Sequence, residues 1–135
     1  MKMLNEKSSG RYEDTIKFCD YWTIQFLKRE YCKELNEEEM WLSPYIILNF
    51  VESMYIYFNL TPKEWCKDPL EKWCFFILPR KVNVSKSFFN AIPTVLIKFF
   101  TFLHDEGVII NDLNLKMGLF LLKEKLKKNL LNPII

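Results

Sequence analysis

Apolar residues recur at intervals of three and four along most of the chain, and capping residues and prolines stand between those stretches, so the pattern predicts helices joined by short turns. From Tyr12 to Leu35 two rows, Ile16, Cys19, Trp22, Phe26 and Ile24, Leu27, Tyr31, Leu35, define a broad apolar helical face. Asn36 followed by Glu37, Glu38 and Glu39 reads as a cap with acids in the first turn, where they meet orphan N–H groups and the positive end of the helix dipole. Ser43-Pro44 predicts the start of a helix running to about Asn59, apolar nearly all round except for Asn49, Glu52 and Ser53. Those three share one narrow stripe. This helix is therefore expected at the centre of the fold, with that stripe as its sliver of exposure.

Thr61-Pro62-Lys63-Glu64 and Asp68-Pro69-Leu70-Glu71 each combine a capping side chain, a proline at the first helical position and a glutamate placed to close a capping box. The segments they open echo each other as Glu64-Trp65-Cys66 and Lys72-Trp73-Cys74. Eight residues is too short a period for a solenoid repeat, so two capped turns, each presenting a tryptophan to the core, are expected. Pro79 ends the second of them, Val82-Asn83-Val84 alternates as an extended piece, and Ser85 opens a further turn through Asn90. Pro93 then starts a helix whose polar stripe, Thr94, Lys98, Thr101 and Asp105, lies opposite Ile92, Leu96, Phe99 and Leu103. Gly107 stands where a left-handed stop belongs, with Val108 as its hydrophobic contact. Val108-Ile109-Ile110 can pair with Val82 to Val84 as a tiny two-stranded ladder, stable only if packed on helices. Asn111 caps a last helix, about Asp112 to Leu131, with Leu115, Leu119, Leu122, Leu126 and Leu130 along one edge, widened by Leu113, Met117, Phe120 and Leu121 and finished by Pro133. Gly118 costs about 1 kcal/mol inside a helix, which points to a close helix crossing there. The expected architecture is an all-α, single-domain bundle of about six short helices over residues 11–135, with at most one tiny β element, preceded by a flexible N-terminal tail over residues 1–10 that carries Ser8-Ser9-Gly10.

A chain of 135 residues is long enough to bury roughly 68% of the surface its unfolded form exposes. Half of its residues are hydrophobic and 16% are aromatic, which leaves apolar surface over for a partner. The net charge of +2 is too small by itself to argue for nucleic acid or an anionic membrane. Lysine greatly outnumbers arginine and Ala91 is the only alanine, as in coding from an AT-rich genome, so the lysine surplus follows codon supply. No basic segment followed by an apolar one occurs in residues 1–10, which makes a cytoplasmic location the default. The longest apolar segments, Tyr45 to Leu60 and Thr94 to Leu103, are interrupted by Asn49, Glu52 and Lys98, and neither suggests a membrane partner. Cys19, Cys32, Cys66 and Cys74 are then expected to be reduced and buried.

Candidate chemistry is thin. The four cysteines are not paired at the spacing structural zinc uses and His104 is distant from all of them, so no metal site, cofactor or small-molecule ligand is expected. His104, the one histidine, stands in the last turn of its helix, where it complements the dipole; a Cys-His pair formed in space stays open. The glycines Gly10, Gly107 and Gly118 form no phosphate-binding pattern, and a carboxylate pair would need Glu52 with a distant partner. Two basic clusters remain: Arg80 and Lys81 with Lys86, and Lys116, Lys123, Lys125, Lys127 and Lys128. Arg80, Lys81 and Lys86 are the candidate contacts to an anion or partner, because a planar guanidinium suits carboxylate or phosphate. The ordinary structural role for Arg80 is to satisfy carbonyls at the end of the preceding helix. The C-terminal lysines alternate with Glu124 and leucines, as on any solvated amphipathic face.

Trp73, then Leu78-Pro79-Arg80-Lys81-Val82, then Phe99 to Leu103 and Gly107 form a pattern that resembles a little-studied group of small prokaryotic helical proteins. The resemblance covers about a quarter of the chain. It implies a helical fold, no nameable activity, and added interest in Arg80 and Lys81. Some members carry a Cys-rich tail similar to the SEC-C motif; no C-x-C element exists here, so that metal function does not transfer.

Aromatic and leucine-rich composition without a catalytic set points to a non-enzymatic protein–protein interaction module, a homodimer or a binder of another protein, using the last or the first helix. The alternative is a winged-helix-like nucleic-acid binder using Arg80, Lys81, Lys86 and the C-terminal lysines, with the two short extended pieces as its wing. An enzyme with a Cys-His or carboxylate site assembled in space is the third reading.

Overall fold

A computed structural model describes residues 2–81 and 84–128, with side chains described from residue 11 onward. Among the described residues the protein is all-α, with five α-helices and no strand: α1 (Lys2–Leu27), α2 (Glu37–Phe58), α3 (Lys67–Lys72), α4 (Lys86–Asp105) and α5 (Asp112–Lys127). Leu130, Leu131 and Pro133, and the Val82-Asn83 half of the expected ladder, lie outside the described residues.

Five helices replace the expected six because the Thr61 segment forms only a 3₁₀ turn, and Pro93 lies about two turns inside α4 instead of opening a helix. The Ser85 hydroxyl accepts from the Phe88 N–H at 3.1 Å, and α4 runs from there through the proline, joining two expected segments. Pro44 is likewise inside α2, which begins at Asn36. The Asn36 side chain accepts from the Glu39 N–H at 2.8 Å, and the Glu39 carboxylate accepts from the Asn36 N–H at 2.9 Å. Ser43 is buried and donates to the Glu39 carbonyl at 2.7 Å. An interior proline loses one backbone hydrogen bond and crowds the preceding turn. Strong upstream caps and the buried residues on both sides of each proline keep these helices continuous.

α1 stops at Leu27, short of the expected Leu35, and a 3₁₀ turn, Glu30–Glu34, follows. Tertiary contacts hold that turn on α4: Arg29 pairs with Glu106 at 3.2 Å, Lys98 with Glu34 at 2.9 Å, and the Tyr31 hydroxyl donates to the Asp105 carboxylate. The Lys98 hydrogen bond holds the Glu34 carboxyl below its ordinary pKa, and the Asp105 hydrogen bond raises that of Tyr31.

Thr61-Pro62-Lys63-Glu64 closes on itself, but as one 3₁₀ turn: the Glu64 carboxylate accepts from the Thr61 N–H at 2.9 Å and its hydroxyl at 2.8 Å, which lowers the Glu64 pKa. Asp68 is not a cap. α3 begins one residue earlier, its Lys67 N–H donates to the Asn114 side chain of α5 at 2.7 Å, and Asp68 pairs with Lys72 at 3.1 Å. Beyond Lys72 the chain widens into a π-helical turn, Trp73–Ile77, and tightens into a 3₁₀ turn, Leu78–Arg80. Pro79 accounts for the change of pitch, since it brings no N–H and crowds the Phe75 carbonyl; the wider turn, closed by the Leu78 N–H on the Trp73 carbonyl, relieves that crowding.

The stop at Gly107 forms as expected. With φ at +76°, Gly107 donates to the His104 carbonyl at 3.0 Å and Val108 to the Leu103 carbonyl at 2.8 Å. Val108 is thereby held in a helix terminus, and 108–110 is irregular, so the expected ladder has no strand on this side.

The central element is α4, not α2. Phe89, Ile92, Val95, Leu96, Phe99, Phe100, Phe102 and Leu103 are all fully buried. Phe50 of α2 meets Trp65, Trp73 and Phe100 edge-on at centroid distances of 5.0, 5.3 and 5.3 Å, so both tryptophans face the core as expected. By length and composition α4 also qualifies as a membrane-spanning helix, with a mean hydropathy of 1.2, but 61% of that window is buried inside the protein, as a core helix requires.

Gly118 marks the expected close crossing, between α5 and α3: a Cβ there stands 3.0 Å from Leu70 Cδ2. Gly118→Leu should therefore lower the urea midpoint by an amount equivalent to about 1–3 kcal/mol. An unchanged midpoint would show that α3 and α5 do not meet in this way.

Candidate functional site

The three basic candidates occupy one turn region but hold different partners. Arg80 donates from Nη1 to the Phe76 carbonyl, satisfying the end of the π-helical turn as a structural cap would. Lys81 Nζ stands 5.9 Å from the Tyr57 ring centroid, and Lys86 is exposed in the first turn of α4. Lys116 reaches Asp112 at 3.4 Å, Lys125 lies 4.4 Å over the Phe75 ring, and Lys128 is 3.9 Å from Glu124. A phosphate-binding patch needs its guanidinium free to reach out. Arg80 is exposed, but one nitrogen of its guanidinium is held on its own backbone.

At the corner where α4 meets α5, His104 Nε2 is 3.5 Å from the Asp112 carboxylate, and Lys116 approaches the same carboxylate from α5. His104, Ile110 and Asn111 line an open depression of about 480 Å³ there with the first residues of α5. No cysteine is hydrogen-bonded to His104 among the described residues. Cys19 bonds to Thr23, and Cys32 donates to the Leu27 and Arg29 carbonyls. Burial pushes the Cys19 thiol up to about 11 and raises that of Cys74 further. The described residues hold no cluster of metal-ligating side chains.

A further feature is the apolar surface of α2, whose roll differs from the expected one. Ser53 is buried, and Asn49 accepts from the Trp73 indole at 3.0 Å and from the Ser53 hydroxyl at 3.3 Å. Of the polar stripe expected to face solvent, Ser53 therefore turns inward and Asn49 is half-buried, while Glu52 stays at the surface. Trp41, Tyr45, Leu48 and Ile56 face out, with Trp41 68% and Ile56 56% exposed. Trp41 and Tyr45 lie against each other at 5.3 Å. Glu52 is the one charged side chain in this row, and it accepts from the Tyr12 hydroxyl of α1 at 2.7 Å, which raises the Tyr12 pKa. On α5 the buried edge is Leu115, Leu119 and Leu122, whereas Leu113, Met117, Phe120 and Leu121, expected to widen it, are exposed. Spacing did not single out the row Trp41, Tyr45, Leu48, Ile56, because α2 is apolar on several sides.

No family model matches the sequence, and no similar curated protein or solved structure was found.

Asn49→Leu strands the Trp73 indole N–H in the core, and unfolding should become easier by about 1–3 kcal/mol in urea titration; stability equal to the parent would mean that the bond does not hold α2 in place. Thiol labelling of the native protein should reach Cys66 first, the only cysteine of the four that is not buried. Peptide mapping that finds Cys74 modified at the same rate would contradict its burial.

Proposed function

We propose that the protein is a non-enzymatic protein–protein interaction module of the cytoplasm, assembling through apolar helix faces with a second copy of itself or with another protein. The observation that carries this reading is the α2 face: Trp41, Tyr45, Leu48 and Ile56 stay exposed at helical spacing although α4 gives the chain a full aromatic core. A solvent-facing row of large apolar side chains is costly to keep in water and marks a surface that is covered in use. α5 adds a second such row. The reducing compartment fits four cysteines that are all free. Arg80 supports the nucleic-acid alternative poorly, since its guanidinium is engaged with its own backbone.

Light scattering at low and high salt, together with a pull-down from the host, tests the reading. A defined assembly that survives high salt is expected, because apolar contacts are not screened, and it should be lost when the exposed α2 or α5 residues are made polar. A chain that stays monomeric at every concentration and captures no partner overturns it.

A further inference from the structure

Building on that interaction reading, we propose that the partner on α2 is a second copy of the chain, with the two α2 helices packed antiparallel about a two-fold axis beside Leu48 and Asn49. The exposed row runs Trp41, Tyr45, Leu48, Glu52, Ile56 along about four turns. An isologous contact requires a surface that complements itself when reversed. Reversal about that axis sets Trp41 on Ile56 of the second copy, Tyr45 on Glu52, and Leu48 beside Leu48. The single carboxylate of the row thus meets a phenol hydroxyl at both symmetric positions, so it is not buried against apolar side chains alone. Its position is already fixed from within the chain by the Tyr12 hydroxyl.

The ends of the row differ in charge, with acids at one end and, at the other, two bases with Asp14 lining the same depression as one of them. Glu37 and Glu38 are exposed at the N-terminal end of α2. At the other end the Arg11 guanidinium lies 5.7 Å from the Tyr55 ring centroid and Lys81 lies 5.9 Å from that of Tyr57. Parallel pairing would bring acids onto acids and bases onto bases. Antiparallel pairing places the acids of each copy at the bases of the other, twice over, which fixes direction and register. The α5 row lacks this property: its exposed carboxylate, Glu124, and its exposed lysines, Lys123, Lys127 and Lys128, stand at the same end, and Asp112 at the other end is buried.

Sedimentation equilibrium of the full chain tests the proposal with Leu48→Asp, Glu38→Lys, Arg11→Glu, the double reversal Glu38→Lys/Arg11→Glu, and Leu113→Ser/Phe120→Ser as the α5 control, each checked for an unchanged circular dichroism spectrum. The parent and the α5 control should be dimers and Leu48→Asp a monomer. Each single reversal should weaken the dimer about three- to tenfold at low salt, and the double reversal should restore it. A dimer that survives Leu48→Asp and is lost in the α5 control overturns the α2 contact while leaving the interaction module standing. So does a monomer that binds a different protein. Single reversals that do not rescue each other overturn the antiparallel register.

Discussion

The indole of Trp73 donates to Asn49 at 3.0 Å, and the roll of α2 about its own axis follows from that bond. Trp73 is fully buried at the start of the π-helical turn, and its N–H, unlike that of buried Trp65, finds an acceptor inside the protein. Asn49 is the acceptor, and meeting it commits that side of α2, with Ser53 one turn on, to the interior. Ile46, Ile47, Phe50 and Met54 then fill the core. What remains for solvent is the opposite row, and that row is apolar. The exposed surface is thus a by-product of how one buried donor is satisfied.

Pro79 acts on the same arrangement from further along the chain. By forcing a change of pitch after Lys72, it places Trp73 and Cys74 in a widened turn and leaves a carbonyl, that of Phe76, for Arg80 to cover. The basic turn that drew attention as a possible anion site is therefore partly a repair of the backbone. Lys81, next to it, leans over Tyr57 and extends basic charge along the end of α2.

Local features were the readable ones. The α4 stripe, with Thr94, Lys98, Thr101 and Asp105 on one side and Ile92, Leu96, Phe99 and Leu103 on the other, and the Gly107-Val108 stop depend on residues within a few positions of each other. They form as the sequence suggests. Prolines were ambiguous, because a cap before a proline reads as a helix start even where a better cap lies one or two turns upstream, as Asn36 and Ser85 do. The roll of α2 was not legible from periodicity, since a helix apolar on most sides offers no preferred face until its neighbours are known. Nor was the bond from Arg80 to its own backbone, which depends on where the π-helical turn leaves its carbonyls.

One more dependence runs from α5 to α3. α3 has six residues, its first N–H is covered by Asn114, 47 residues away, and its side chains rest on the bare backbone of Gly118. A helix that short does not persist in water without such help. α3 therefore depends on its contact with α5. The order of 67–72 thus rests on a segment nearly fifty residues further along the chain.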